Sequence, residues 1–290
     1  MLAPLRVLIT GAGGYIGRHV TRALLDQGNE VIAVGRVLDA ARMDPRATLI
    51  STDIFDVTEP FETFGRPDVC LHLAWESGFD HNSVTHMLNL SRHFRFLTEL
   101  VDGGLRQLLV LGSMHEIGYF EGAISEDTPT SPQSLYGIAK DSLRRALTVY
   151  LDRGTTVFQW ARCFYIYGDD EHNESIFTRI LESASLGQSS FPFTSGSKRF
   201  DFISIEQLAD QIGAIAQQTE TSGVINCGRG VAVTLKSQVE MYISDRSLTI
   251  ELEYGAYPDR PYDSPAVWAE TSKIRTILDR RDAVRTESPE

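Results

Sequence analysis

A tyrosine and a lysine stand four residues apart at Tyr136 and Lys140, on a stretch whose apolar residues recur with helical spacing. Four residues make about one helical turn, so the two side chains lie one above the other. A phenol has an ordinary pKa of about 10, but a neighbouring ammonium group stabilises the phenolate and favours proton transfer. Ser113 follows the apolar run 107–111, and its hydroxyl can donate a hydrogen bond to a substrate oxygen. The three residues indicate acid–base chemistry, although the Tyr–Lys spacing alone is also common in structural helices.

A glycine-rich turn at residues 10–17 joins the first apolar run to an amphipathic stretch. Its glycines stand three apart, at positions where a tight turn, close approach of a pyrophosphate and helix–sheet packing each exclude a Cβ atom. The following helix offers unpaired N–H groups and the positive end of its dipole to an anion. The order strand, turn, helix favours a dinucleotide site over a merely structural turn. The predicted cofactor-binding residues of this turn are Gly11, Gly14, Tyr15, Ile16 and Gly17.

The end of the second strand distinguishes the two nicotinamide cofactors. An acidic residue at this position accepts a hydrogen bond from the ribose 2′-hydroxyl of NAD. The sequence has Gly35 and Arg36 there instead, and a guanidinium suits a 2′-phosphate. The pattern favours NADP over NAD, with Arg36 as a cofactor-binding residue and Arg18 as a second cation near the turn. For either arginine the alternative is a solvated surface charge.

The elements that must position these residues follow an alternating order. Short β-branched runs alternate with longer helical patterns over the first 150 residues, and such alternation builds a parallel sheet with right-handed crossovers. Continuous apolar strands indicate burial on both faces. We expect an α/β fold with a Rossmann doubly wound parallel sheet, whose ligands bind beyond the carboxyl ends of the strands. Predicted strands are 6–9, 30–34, 68–73, 107–111, 156–160 and 223–226, and predicted helices include 175–186 and 204–218.

The second half of the chain has a looser pattern. Residues 1–163 are predicted to form the NAD(P)-binding Rossmann domain, and residues 164–290 mainly a smaller C-terminal substrate-binding lobe. A stretch rich in Gly, Ser and Pro at 187–197 marks where that lobe leaves the sheet. Residues 200–228 are expected to return to the first sheet. The segment 280–290 is polar, lacks apolar periodicity and is predicted to be frayed.

Composition excludes several classes of function. The 290 residues carry 27 Lys and Arg against 39 Asp and Glu, a net charge of −12, so nucleic acid and anionic membranes are poor partners. No apolar run reaches the roughly 20 residues that a membrane helix requires, and the start does not read as a signal sequence, so we expect a cytoplasmic protein. Cys70, Cys163 and Cys227 are far apart, which indicates neither a disulfide framework nor a metal site.

The chain resembles the extended short-chain dehydrogenases/reductases, in their nucleotide-sugar epimerase/dehydratase branch. The resemblance runs from about residue 5 to about residue 278 and implies that Tyr136 exchanges a proton with the reacting sugar oxygen. It further implies that Lys140 tunes Tyr136 and binds the nicotinamide ribose, and that Ser113 orients the same oxygen. The motifs that carry it are residues 10–17, 52–54, 71–74, 112–118, 136–140, 161–168 and 201–203. By the same resemblance Asp53 and Ile54 lie at the adenine, and Leu73 and Ala74 line the cofactor trough.

The residues after the serine distinguish reactions within this family. Dehydratases place an acid and a base directly after the hydroxyl residue, where this chain has Met114 and His115, which argues against dehydration. Together with Arg36, the run Met-His-Glu-Ile-Gly at residues 114–118 favours NADPH-dependent reduction at C4 of a nucleotide-linked 4-keto-6-deoxyhexose, with Tyr136 as proton donor. An NAD-dependent nucleotide-sugar epimerase and a dinucleotide-binding protein without enzymatic activity remain alternatives. His115 and Glu116 are candidate substrate contacts, or else a pair that only shapes the loop.

Two arginines are candidates for the diphosphate of the substrate. Arg260 precedes residues 267–270 at the spacing that sugar epimerases show for a phosphate-binding arginine. A second arginine is expected directly before Asp201, but Phe200 stands there and Arg199 is one residue earlier. One step along a strand reverses the face, so Arg199 is predicted with the alternative that Lys198 is the cation on the matching side. The resemblance also implies a homodimer, formed through the helical patterns at 83–101 and 135–150.

Overall fold

Apolar runs form the strands and amphipathic runs the helices in the computed structural model, which describes residues 4–168, 175–259 and 264–287. The strands are β1 (Arg6–Thr10), β2 (Glu30–Gly35), β3 (Thr48–Ser51), β4 (Val69–His72), β5 (Gln107–Ser113), β6 (Gly122–Ile124), β7 (Val157–Cys163), β8 (Tyr165–Tyr167), β9 (Ser190–Pro192), β10 (Arg199–Ser204), β11 (Gly223–Cys227), β12 (Ala232–Thr234), β13 (Glu251–Glu253) and β14 (Ala266–Ala269). The helices are α1 (Tyr15–Asp26), α2 (Pro60–Thr63), α3 (Thr85–Asp102), α4 (Leu135–Leu151), α5 (Ile176–Ser185), α6 (Ile205–Ala216), α7 (Leu235–Asp245) and α8 (Ser272–Glu287). Two 3₁₀ turns span Ile54–Asp56 and Met114–Glu116.

Seven parallel strands form the large sheet, in the order β11-β7-β5-β4-β1-β2-β3. Its two faces carry separate apolar cores. On one face Leu24 of α1 and Ile212 of α6 are fully buried, and on the other Leu97 of α3 and Leu147 of α4 are fully buried. Burial on both faces explains why the strands read as continuous apolar runs. The predicted doubly wound α/β fold is confirmed.

A smaller sheet lies beyond the large one, with the order β12-β10-β14-β6 and with β8 paired to β10. A third apolar core packs on it, and its large side chains are mostly aromatic, including Phe177, Phe193, Phe202 and Tyr242. β9 and β13 pair with each other as a separate ribbon. Most strands of this small sheet come from the second half of the chain, which here leaves the large sheet.

The two sheets exchange segments along the chain. β6 comes from the N-terminal half but pairs with β14 of the small sheet, whereas α6 and β11 lie against the large sheet. The division at residue 163 is therefore crossed in both directions, and residues 200–204 belong to the small sheet instead of returning with α6. The prediction of a frayed end is wrong for residues 280–287, because α8 continues through them and Arg281 pairs with Asp210 at 2.6 Å.

Within the described ranges, none of the helices has the length and apolar character needed to cross a membrane. The same ranges contain no group of three or more His, Cys, Asp or Glu side chains arranged to hold a metal ion. The three cysteines are buried and unpaired.

Candidate active site

The glycine-rich turn lies at the carboxyl end of β1 and leads into α1. Gly11 has a φ of +71°, and a Cβ atom there would lie 2.7 Å from the Cα atom of Ala74. A Cβ on Gly17 would lie 2.3 Å from the carbonyl oxygen of Gly11. Neither position accepts a side chain, because backbone atoms occupy the space from both sides. The backbone of the turn therefore packs closely against the strand ends, which lets a phosphate approach it.

The N-terminus of α1 lies at the glycine-rich turn, where the helix dipole favours an anion. The N-cap residue, Gly14, has no side chain that could accept a hydrogen bond from the first helical N–H groups. The first turn of the helix also has no acidic residue. A Cβ on Gly14 would meet only the Gly11 carbonyl oxygen, at 3.2 Å, so the space in front of it is open. The positive end of the helix dipole at this turn fits the pyrophosphate of a dinucleotide.

The remaining predicted cofactor residues lie after β3 and β4 and at the start of α1. The N–H of Leu73 donates to the Thr10 carbonyl oxygen at 3.1 Å, which holds the segment after β4 beside the turn. The Asp53 carboxylate accepts from the N–H of Phe55 at 3.0 Å and caps the first 3₁₀ turn, while Ile54 is buried. Tyr15 donates from its hydroxyl to the Gly168 carbonyl oxygen, which ties α1 to the end of β8. Ile16 packs at the margin of the core under α1.

Arg36 follows β2 as predicted, but its guanidinium already has an anionic partner. Its Nη1 atom lies 3.3 Å from Oε1 of Glu76, and both side chains are partly exposed. Glu76 comes shortly after β4, on the other side of β1 from β2. Sequence reasoning did not single out Glu76, because 40 residues separate it from Arg36.

Tyr136 lies in the first turn of α4, which begins where the Ser134 hydroxyl accepts from the N–H of Gly137 at 3.1 Å. The backbone N–H of Tyr136 donates to the His81 carbonyl oxygen at 2.9 Å. The rings of His81 and Tyr136 stack with centroids 5.1 Å apart, and the Trp75 ring packs edge to face with Tyr136, with centroids 6.1 Å apart. Burial raises the pKa of Tyr136, while a hydrogen bond with Ser113 acts in the opposite direction. The phenol is thus protonated at neutral pH.

Lys140 lies one helical turn further and is almost fully buried. Its Nζ atom donates to the Leu111 carbonyl oxygen at 2.7 Å and lies 3.8 Å from the centroid of the Trp75 ring. Burial lowers the pKa of Lys140, and the negative charge of Glu116 partly compensates. The structure thus brings Ser113, Tyr136 and Lys140 together at the carboxyl end of β5. A hydroxyl, a phenol and an ammonium in this arrangement can orient a substrate oxygen and exchange a proton with it.

The structure corrects the interpretation of Glu116 as a substrate contact. Its side chain is fully buried beneath the loop, where Oε1 accepts from the N–H of Ser113 at 2.6 Å and from Nε1 of Trp160 at 2.9 Å. Oε2 lies 3.5 Å from Nε of Arg162, which is also fully buried. Burial raises the pKa of Glu116, against the opposing effect of the Arg162 charge. Glu116 therefore shapes the loop that carries Ser113 and does not reach the cleft.

His115 points to the opposite side of that loop. Its ring is half-buried, with centroids 4.4 Å from His81, 6.2 Å from Tyr136 and 6.5 Å from Tyr165. Burial, with a smaller effect of the His81 charge, lowers the pKa of His115 to about 4. A neutral imidazole beside the phenol is therefore available to a substrate at neutral pH.

The two predicted diphosphate arginines have different outcomes. Arg260 lies outside the described residues. Arg199 is exposed, and its Nη2 atom donates to the Ala232 carbonyl oxygen at 3.0 Å. Phe200, on the opposite face of β10, is the residue that packs against Tyr165, with centroids 4.5 Å apart. The prediction of Arg199 as a substrate contact is therefore corrected, because strand alternation turns it away from the His115 side.

A cavity of about 720 Å³ opens between the small lobe and the loop that leads to His81. Four of the nine described residues that line it are aromatic, and one of the nine, Arg179, is an arginine. Phe79, two residues before His81 in the sequence, is part of this wall. Its other lining residues include Ile176, Phe191, Phe193 and Tyr257. The cavity suits a flat ring with a neighbouring anionic group.

Several residues of the site had no recognisable motif. Five of the seven histidines in the chain gather around Trp75 and Tyr136. Trp75 donates from Nε1 to Nδ1 of His86 at 3.0 Å and stacks on His93 with centroids 4.6 Å apart. The spacing of these histidines along the chain is irregular and forms no motif. The indication that the sequence offered for this cluster was the high number of histidines before residue 120.

Comparisons with known proteins identify the relatives of this chain. Residues 7–228 match the NAD dependent epimerase/dehydratase family. A dTDP-6-deoxy-L-talose 4-dehydrogenase (NAD(+)) of Aggregatibacter actinomycetemcomitans is 38% identical over 270 residues, which cover 91% of this chain and 99% of that protein. A UDP-glucose 4-epimerase of Lactobacillus helveticus is 26% identical, covering 94% and 91% of the two chains. Among solved structures, a UDP-N-acetylglucosamine 4-epimerase from Methanobrevibacter ruminantium M1 superposes with a TM-score of 0.84 at 21% identity, covering 95% and 92%.

Proposed function

The chain belongs to the NAD dependent epimerase/dehydratase family, and from that premise we propose that it interconverts the 4-hydroxyl and 4-keto groups of a dTDP-linked 6-deoxyhexose with NAD as cofactor. The observation that carries the proposal is the 38% identity with a dTDP-6-deoxy-L-talose 4-dehydrogenase, over nearly the whole of that protein. Reduction of a 4-keto sugar, predicted from the sequence, is the reverse direction of the same reaction. The relative's name specifies NAD(+), so NAD replaces NADP in the proposal.

The proposed proton transfer uses residues that meet at the end of β5. When bound, the nicotinamide accepts or donates the hydride at C4 of the sugar. Tyr136 protonates the sugar oxygen during reduction and, as phenolate, takes the hydroxyl proton during oxidation. Ser113 orients that oxygen, and Lys140 stabilises the phenolate by its positive charge. Because burial raises the pKa of Tyr136, the phenol is ready to donate at neutral pH, and oxidation is expected to accelerate as pH rises.

The remaining parts of the substrate are assigned to the small lobe. The aromatic wall of the 720 Å³ cavity is proposed to hold the nucleotide base, with Arg179 near the diphosphate. His115 is proposed to contact the sugar ring beside Tyr136. Arg260 follows Pro258 by two residues, and Pro258 is on the cavity wall, so the sequence-based assignment of Arg260 to the diphosphate stands as part of the proposal.

A homodimer is proposed from the surface of α3 and α4. These helices pack side by side and expose apolar side chains at helical spacing. Leu88 is 70% exposed on the outer face of α3, and Val149 is 77% exposed on α4. Such a patch is typical of a contact between two copies of a chain.

The test is a direct assay with the purified chain. dTDP-6-deoxy-L-talose and NAD are incubated together, absorbance at the NADH wavelength is followed, and the product is identified by NMR. We expect one NADH for each 4-keto sugar formed, and the reverse reaction with the 4-keto sugar and NADH. Interconversion of C4 stereoisomers without net NADH formation would instead identify an epimerase. Tight binding of NAD without turnover of either sugar would support a non-enzymatic role.

A further inference from the structure

Glu76 brings a carboxylate to the end of the second strand from a distant part of the chain. Arg36 directly follows β2, while Glu76 follows β4, and these strands flank β1 on opposite sides. Neighbouring strands are about 4.8 Å apart, so β2 and β4 are separated by about 10 Å. The ion pair of 3.3 Å between Arg36 and Glu76 therefore spans the end of β1, where the glycine-rich turn begins.

The Glu76 carboxylate is held in place from its other side. Its Oε2 atom accepts from Nδ2 of Asn89 at 3.1 Å, and Asn89 is buried on α3. The Oδ1 atom of Asn89 in turn accepts from Nη1 of Arg92 at 3.2 Å. Glu76 is nevertheless 43% exposed, so a ligand in the groove can reach it. The carboxylate is thus positioned by the fold and partly open to solvent beside the glycine-rich turn.

The chemistry of the two cofactors differs at this place. NAD presents a ribose 2′-hydroxyl, for which a carboxylate is a good hydrogen-bond acceptor, whereas NADP presents a doubly charged phosphate that needs a free cation. Arg36 taken alone fits the phosphate. With Glu76 within hydrogen-bond distance, the guanidinium is already neutralised, and a second negative group in the groove repels the phosphate.

We propose that Glu76 determines the cofactor specificity of this protein by supplying the carboxylate that is absent after β2. Its carboxylate selects NAD by accepting a hydrogen bond from the ribose 2′-hydroxyl, and it disfavours NADP because its ion pair with Arg36 leaves no free cation for the 2′-phosphate. The proposal rests on the proposed function, in which the chain binds a nicotinamide dinucleotide.

The test compares the affinities for NAD and NADP by isothermal titration calorimetry. The proteins are the unmodified chain, Glu76→Gln, Arg36→Ala and the double variant. We expect the unmodified chain to prefer NAD, and Glu76→Gln to shift the ratio of the two Kd values by about tenfold or more toward NADP. Arg36→Ala alone is expected to change the ratio little, but in the Glu76→Gln background it removes the part of the gain that comes from the freed guanidinium, which is the coupling expected of a competing pair. Glu76→Ala is expected to act in the same direction as Glu76→Gln.

A matched control, and the outcomes that would contradict the proposal, distinguish the role of Glu76 from the proposed function. Glu62 is another exposed carboxylate paired with an arginine, at 2.8 Å from Arg66, but it precedes β4, so Glu62→Gln should leave the ratio unchanged. If the unmodified chain binds NAD and the Kd ratio of Glu76→Gln stays within about twofold of it, the role of Glu76 is overturned while the proposed function stands. A preference of the unmodified chain for NADP overturns the role of Glu76 as well. Failure of the folded chain to bind either dinucleotide overturns both.

Discussion

The ammonium group of Lys140 lies 3.8 Å from the centroid of the Trp75 indole ring. Burial lowers the pKa of Lys140, and a cation held over an aromatic face keeps part of the stability of its charged form. Trp75 is itself held by stacking on His93. This contact positions the lysine that the proposed mechanism places beside Tyr136.

Replacing Trp75 by Leu is therefore expected to lower the pKa of Lys140 further. The ammonium would lose its proton at lower pH, so the alkaline limb of the pH profile of kcat/KM should move to lower pH by about one unit, as expected for an interaction of about 1–2 kcal/mol. Trp75→Phe keeps an aromatic face and should restore most of the profile. A Leu variant with reduced rate but an unshifted profile would assign Trp75 a purely structural role.

Replacing Tyr136 by Phe is expected to reduce turnover by about 100-fold to 10,000-fold, because it removes the proton-transferring group. Binding of NAD should persist, since the glycine-rich turn and Glu76 are unaffected. Titration with NAD and steady-state rates with the dTDP sugar measure the two effects separately. Tyr150→Phe is the matched control on the same helix, because the Tyr150 hydroxyl contacts Asp102 at 2.7 Å on an exposed surface. Undiminished turnover of Tyr136→Phe would contradict the proposed mechanism.

Replacing Glu116 by Gln is expected to destabilise the fold by about 3–5 kcal/mol, the usual effect of leaving a buried charge without its partner. The charge in question is that of Arg162, which is fully buried beside Glu116. Urea unfolding followed by circular dichroism measures the free energy of unfolding. The control is Glu126→Gln, which removes the partner of Lys273 at a partly exposed site and should cost less than about 1 kcal/mol. Equal stability of the two variants would show that a neutral amide at position 116 satisfies Arg162 as well as the carboxylate does.

The stability of the protein is expected to fall as the pH is lowered from about 6.5 toward 4. Burial lowers the pKa of His93 to about 3 and that of His115 to about 4, and the pKa of His72 lies well below its usual value. In this range the unfolded chain binds protons that the folded chain does not, so each histidine reduces the free energy of unfolding by about 1.4 kcal/mol per pH unit. Urea titrations at pH 7.0, 6.0 and 5.0 measure the slope.

A variant distinguishes the contribution of these histidines to the pH dependence of stability from that of the carboxylates. His93→Phe keeps an aromatic ring against Trp75 and should reduce the slope by about 1.4 kcal/mol per pH unit. A stability that does not change between pH 7 and pH 5 would mean that these imidazoles are protonated within the fold.

Charged substitutions on the outer face of α3 and α4 are expected to separate the proposed dimer. Leu88→Glu combined with Val149→Glu places like charges on both sides of a two-fold contact, which opposes association. Light scattering after size-exclusion chromatography gives the mass of each species. Leu186→Glu is the control, since Leu186 is also 77% exposed but lies after α5 in the small lobe. A monomeric unmodified chain would refute the dimer before any variant is needed.

Local patterns in the sequence predicted the glycine-rich turn and six of the seven strands of the large sheet, but not the edge strand β3. The strand around Val7 and the helix that carries Tyr136 are specified by periodicities that short segments contain in full. The pairing of β6 with β14 and the course of α8 against the large sheet were not predictable in this way, because short or polar segments acquire their structure from partners far along the chain.

The sequence by itself therefore determined the cofactor-type fold and the chemical types at its centre, namely Ser113, Tyr136 and Lys140. Tertiary structure decided which neighbouring groups modify them. It buried Glu116 under the loop instead of at the substrate, and it brought Glu76 across β1 to Arg36. The physical reason is that the charge state and availability of a side chain depend on its surroundings in space. Contacts between the segments that follow β2 and β4 leave no periodic trace in the order of residues.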